Sequence, residues 1–123
     1  MIAKVGCDIH ERGALTMMNV FRDAGFEVIY TGRYQAEASV ANAAVNEDVD
    51  LIIVSDLSGN LPSICRKILA ELERQGSDIP LMCGGLMTEK DREIMAEMGV
   101  KATFPTGSDS DDCLETVKEF LGR

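Results

Sequence analysis

"DLIIVS", residues 50–55, decides the fold. It is a short, nearly unbroken apolar run with no polar residue on alternate positions, the pattern of a strand covered on both faces. "IPLMC" (79–83) repeats the pattern. Working outward, "IAKVGC" (2–7), "FEVIY" (26–30) and "KATF" (101–104) complete a set of five predicted strands. Helical stretches separate them. "RGALTMMNVFRDAG" sets Leu15, Met18 and Phe21/Arg22 at helical spacing and stops at Gly25, a natural residue just past a helix end. "AEASVANAAVNED" (36–48) carries Val40, Ala44 and Val45 on one side, and "LPSICRKILAELERQG" carries Ile64, Ile68, Leu69 and Leu72 before another glycine. In "TEKDREIMAEMG" Thr88 can cap the helix, with Asp91 three residues on. "DDCLETVKEFL" (111–121) opens on acidic residues, where the helix dipole favours them.

Strand and helix alternating at this spacing require right-handed crossovers and a parallel sheet. Five strands and five helices in this order predict an α/β, flavodoxin-like, doubly wound arrangement with strand order 2-1-3-4-5 and helices on both faces. The 123 residues suit one domain, 1–123, and no repeat or linker suggests a second.

Composition narrows the function. Apolar content of 46% and charged content of 27% are ordinary for a soluble globular chain. A formal net charge of -9 argues against sequence-independent nucleic-acid binding, which needs clustered Lys and Arg. No apolar run approaches the roughly 20 residues of a membrane span, and the start "MIAKVGCDIH" does not read as a signal peptide. Cysteines at 7, 65, 83 and 113 form no C-x-x-C pair and, with one histidine, no zinc pattern. Cys7 and Cys83, at the ends of apolar runs, read as small buried hydrophobes, and reduced thiols in a cytoplasmic protein are expected.

In such a sheet ligands bind beyond the carboxyl ends of the strands, where strand order reverses. The loops converging there are "DIHERG" (8–13), "SDLSGN" (55–60), "GGLMT" (84–88) and "PTGSDS" (105–110). The first holds the single histidine, His10, two residues after Asp8. A carboxylate so placed can accept a hydrogen bond from one imidazole nitrogen while the other binds metal. A solvated loop histidine beside a helix-capping aspartate gives the same spacing, and on spacing alone both readings stand. No further ligand accompanies His10, so it cannot hold a bare zinc ion. A metal already held in an organic macrocycle, needing one axial protein ligand, meets that constraint. Gly13 allows close approach above the helix start. Ser55, Asp56 and Ser58 can hydrogen-bond a polar ligand or form a turn; Gly84 and Gly85 can clear a groove or make a tight turn.

A phospho-receiver domain shares this fold. It would use Asp8 and Asp56 but needs a lysine after the fifth strand, where "FPTG" stands; Lys101 is at that strand's start. A flavodoxin would need a Ser/Thr/Gly-rich phosphate loop after the first strand, and "DIHERG" is a poor one.

"GCDIHERG", "SDL" (55–57) and "GG" (84–85) together resemble the D-x-H-x-x-G … S-x-L … G-G signature of cobalamin-binding domains, in order and on the corresponding loops. The likeness covers essentially the whole chain and is greatest to the carboxy-terminal domain of methylmalonyl-CoA mutase and its stand-alone small-subunit relatives. "RDAGFEVIYTG" and "EDVDLI" add to it. The resemblance implies base-off/His-on binding, with His10 the lower axial ligand to cobalt and Asp8 its hydrogen-bond partner. It also implies that the displaced nucleotide tail enters a groove between the sheet and the helix after Gly13. Ser55 would contact the tail, Leu57 pack nearby, Gly84 and Gly85 keep the groove open, and Gly107 match a later glycine loop. The sequence departs from the family at Cys83, where a third glycine is frequent, and at "FPTGS", where a G-P-G-T-like stretch is frequent.

The resemblance further implies adenosylcobalamin as cofactor and an isomerase (intramolecular mutase) subunit, with no catalytic residue in this chain beyond cofactor ligation. A barrel of roughly 250 residues, which radical mutases use for substrate, cannot fit in this chain, so a separate large catalytic subunit is expected as partner. Neither nucleic acid nor membrane is expected as partner, and a homodimer is left open. The alternatives are a corrinoid methyl carrier, which usually has a helical cap domain ahead of the signature, and a non-catalytic cobalamin carrier or sensor.

Overall fold

The computed structural model describes residues 1–3, 12–32 and 35–123, with only the backbone at Arg12. In chain order its elements are β1 (Ile2–Ala3), α1 (Arg12–Asp23), α2 (Glu37–Asn46), β2 (Ile52–Asp56), α3 (Leu61–Arg74), β3 (Leu81–Gly85), α4 (Glu89–Met98), β4 (Thr103–Pro105) and α5 (Ser110–Leu121). The strands form one parallel sheet in the order β1-β2-β3-β4.

Among the described residues, the expectation of five strands is corrected to four. Residues 26–30 run beside β1, on the side away from β2, but make only an isolated parallel bridge between Tyr30 and Ile2. Two backbone bonds hold it: Ile2 N–H donates to Ile29 at 2.8 Å and Thr31 N–H to Ile2 at 3.1 Å. One bridge is not a ladder, and the chain that would extend it beyond Ala3 lies outside the described residues. The order 2-1-3-4-5 therefore holds for position, with its outermost member reduced to this single contact. Phe26 and Val28 are still used, packed against the core on the α1 side. Phe26 meets Phe21 edge-on at 5.4 Å between ring centres, a favoured aromatic geometry.

Side chains alternate across each strand, so the sheet separates two apolar layers. On one face Ala3, Ile52, Val54, Leu81 and Cys83 meet Val40, Ala41 and Ala44 of α2, Ile64, Cys65, Ile68 and Leu72 of α3, and Met95 of α4. On the other, Ile2, Ile53 and Met82 meet Ala14 and Phe21 of α1 and Val117 of α5. Both faces of β2 are thus covered, which is why its sequence shows no polar alternation.

The helix ends follow the local chemistry. Thr88 and Asp91 form a reciprocal capping box at the start of α4, with both N–H···O bonds at 3.0 Å. Gly99 ends that helix in the left-handed region, φ 108°, where a side chain would be strained. Pro62 lies in the first turn of α3, where its missing N–H costs nothing. Cys65, Cys83 and Cys113 are free and buried. Cys83 Sγ lies 3.5 Å from Met95 Sδ. A hydrogen bond with Cys65 and burial together raise its thiol pKa far above the usual range. The expected burial of Cys83 is met, while Cys7 lies outside the described residues.

Candidate functional site

Among the described residues, the carboxyl end of the sheet is built from three loops tied together by main-chain bonds. Leu86 N–H donates to the Asp56 carbonyl at 3.0 Å, joining the loop after β3 to the end of β2. Thr106 N–H donates to the Gly85 carbonyl at 2.9 Å, joining the loop after β4 to the end of β3. Register then sets which side chains meet. Ser55 lies beside Gly84, and Gly84 beside Phe104. This row lies on the α1/α5 face, one step beyond the buried row Ile2–Ile53–Met82. Ser55, Gly84 and Phe104 are only half-buried. The sheet therefore changes on this face from a filled core to a strip floored by a hydroxyl, a bare backbone and an aromatic edge.

The two glycines differ. At Gly84 an added Cβ would come 3.3 Å from the Phe104 carbonyl oxygen, a tight but nearly tolerable contact. At Gly85, on the opposite face, a Cβ would collide with the Asp56 carbonyl oxygen, and the backbone has φ 131°. Gly84 thus leaves the strip clear, while Gly85 makes the close approach of two strands possible.

Asp56 is the one fully buried charged side chain among the described residues. Its Oδ2 accepts from Ser58 N–H and Asn60 N–H, both at 3.2 Å, and Ser58 Oγ donates to the same carboxylate, 2.8 Å from Oδ1 and 2.9 Å from Oδ2. Asn60 Nδ2 donates to Ser58 Oγ at 3.1 Å. Of the two uses open to this stretch, Asp56 and Ser58 serve the turn. Buried on the face away from the strip, with its donors supplied by its own loop, Asp56 is not an accessible phosphoryl acceptor. Lys101 lies at the other edge, its N–H bonded to Leu81.

The remaining sequence candidates fall as follows. Leu57, half-buried, continues directly from β2 into the turn. Gly13 is the second residue of α1, exposed, with open space where a side chain would be. Gly107 is exposed in the loop after β4, which is braced by Ser108 N–H and Oγ on the Pro105 carbonyl at 3.0 and 2.6 Å. Asp8 and His10 lie outside the described residues. Among the described residues no three His, Cys, Asp or Glu side chains gather as a metal site. Nor is any helix among them long and apolar enough to cross a membrane. A cavity of about 380 Å³ lies at the opposite, amino-terminal edge, between Phe26, Leu51, Val117 and Arg123, and touches none of these loops. The residue that sequence reasoning underused is Asp56, whose signal was the D-x-S-x-N spacing of a side chain closing its own turn.

Similarity to known proteins points the same way. Over 122 residues the chain is 32% identical to the 2-hydroxyisobutanoyl-CoA mutase small subunit of Aquincola tertiaricarbonis, covering 98% of this chain and 90% of that one. It is likewise 32% identical to methylmalonyl-CoA mutase of Rhizobium meliloti (strain 1021), covering 98% of this chain but only 17% of the larger protein. The fold superposes on a cobalamin-binding protein from Desulfitobacterium hafniense DCB-2 with TM-score 0.82 and 16% identity, over 97% of this chain and 56% of that one. Residues 1–113 match the B12 binding domain, and on that match the chain belongs to the B12-binding domain family.

Proposed function

We propose that the chain is the cobalamin-binding small subunit of an adenosylcobalamin-dependent carbon-skeleton mutase acting on an acyl-CoA, and that it works in the cytoplasm with a separate large barrel subunit. The observation that carries this reading is the end-to-end likeness to the Aquincola small subunit, 98% of this chain against 90% of that one. A match confined to the tail of a long mutase would have said less about subunit organisation.

The described residues fit such a cofactor. A slender polar group can lie on the strip floored by Ser55 and Gly84, since the side chains that fill this face lower down, Ile53 and Met82, have no counterpart there. Ser55 supplies a hydroxyl able to donate and accept. Leu57 supplies apolar surface beside it, and Gly13, Gly84 and Gly107 leave room for close approach. Gly85 contributes by fixing the strand ends. His10 would hold cobalt through one ring nitrogen, with Asp8 accepting a hydrogen bond from the other and so fixing the ring's orientation. When bound, adenosylcobalamin supplies a cobalt–carbon bond that breaks homolytically and starts the rearrangement. This chain's part is to hold and orient the cofactor, and residues 1–123 serve it as one domain.

The test is reconstitution. The purified chain is mixed with its co-expressed large subunit, adenosylcobalamin and a panel of branched acyl-CoA thioesters. Isomerisation that requires both chains supports the assignment. Cobalamin binding without isomerisation by any such pair would make the chain a carrier instead.

A further inference from the structure

We infer that Asp56 is the positioning residue for the cofactor's nucleotide tail, holding Ser55 and Leu57 in place from the opposite face of the sheet; this rests on the cobalamin reading above. Three observations converge on it. The carboxylate is fully buried, and a carboxylate so buried is tolerated only when its charge is met by well-placed donors. Those donors are Ser58 N–H, Asn60 N–H and the Ser58 hydroxyl, all from the turn that immediately follows. The side chain therefore fixes the path of residues 57–60, including Leu57, and holds the amide just ahead of α3.

The Asp56 main chain is equally committed. Its carbonyl accepts from Leu86 N–H at 3.0 Å, and it packs so near Gly85 that no Cβ would fit there. Gly85 in turn accepts from Thr106 N–H. Asp56 thus fixes its own loop through the carboxylate and ties the loop after β3 through its main chain, and Gly85 passes that tie to the loop after β4. Because side chains alternate, a residue anchored on the α2/α3/α4 face fixes the direction of Ser55, its neighbour, toward the α1/α5 face. Asp56 acts through its chain neighbours Ser55 and Leu57.

Two corrinoids separate positioning from general stability: cobalamin, and cobinamide, which lacks the nucleotide tail. Dissociation constants are measured by absorbance for the wild-type chain, Asp56→Ala, Asp56→Asn and Ser58→Ala. Asn keeps a carbonyl oxygen for the two N–H donors and an amide that can donate to Ser58 Oγ. Asp56→Ala is expected to weaken cobalamin about ten-fold while leaving cobinamide within about two-fold, and Asp56→Asn to restore most of the loss. Ser58→Ala, the milder change, reports in the same direction if Asp56→Ala does not fold. Equal cobalamin affinity in all four chains, equal loss of both corrinoids, or Asn as damaging as Ala would overturn the inference. Failure of the wild-type chain to bind either corrinoid would instead overturn the cobalamin reading, and the inference with it.

Discussion

Gly84 and Gly85 are adjacent, yet replacing them should produce opposite kinds of damage. A methyl at Gly85 meets the Asp56 carbonyl and a φ of 131°. Both effects are structural, and together they should cost about 3 kcal/mol or more. The urea midpoint of Gly85→Ala should therefore fall sharply. At Gly84 an added Cβ meets the Phe104 carbonyl oxygen at 3.3 Å and the Phe104 Cβ at 3.6 Å, with no positive φ, and Gly84→Val should cost on the order of 1–3 kcal/mol. It covers the strip beside Ser55, however, so cobalamin binding should be lost while the protein stays folded. Isothermal titration beside a urea melt on each variant checks both. Full cobalamin affinity in Gly84→Val would remove the strip from the cofactor's path. The difference between these glycines was not legible in "CGG". It depends on the pairing Ser55–Gly84–Phe104 and on where the Asp56 carbonyl arrives, both long-range facts. Asp56 was half-legible: the turn spacing was in the sequence, the face on which the carboxylate is buried was not.

At the scale of the element, helix ends were the most legible feature, because they are set by local chemistry. The Thr88–Asp91 box stands where the pattern put it. Thr88→Ala should destabilise the fold by about 1 kcal/mol and leave cobalamin affinity unchanged, since α4 contributes no strip residue; a thermal melt and a cobalamin titration check this. The segment 26–30 was less legible. An apolar run of five residues says that a chain is buried, not how many rungs of a ladder it will form. The α3–β3 contact gives a pH prediction. Cys83 is held protonated by its bond with Cys65 and by burial, whereas the unfolded thiol ionises near 9.0. Its folded pKa is raised, so the stabilisation is complete below that value and is lost as pH climbs past it. Urea midpoints between pH 8 and about 11 should therefore fall more steeply for the wild type than for Cys83→Ala. Parallel slopes would show that the buried thiol does not contribute.

For the whole molecule, periodicity and the crossover rule were enough to place a doubly wound sheet and to point at its carboxyl edge. The near-continuous runs of β2 and β3 could be covered only by helices on both sides. What composition and spacing could not give was the ligand. Asp8 and His10 alone favoured a solvated loop over a metal ligand, and the ordered motifs, with the family match over residues 1–113, turned the reading toward cobalamin. Cobalamin ligation therefore turns on His10. The direct measurement is the EPR spectrum of the chain loaded with cobalamin reduced to Co(II), using cobalamin labelled with ¹⁵N in its dimethylbenzimidazole. Superhyperfine splitting from a ¹⁴N histidine ligand is expected in the wild-type chain, and its loss in His10→Ala. A ¹⁵N pattern in the wild type, or ¹⁴N splitting that survives unchanged in His10→Ala, would contradict ligation by His10.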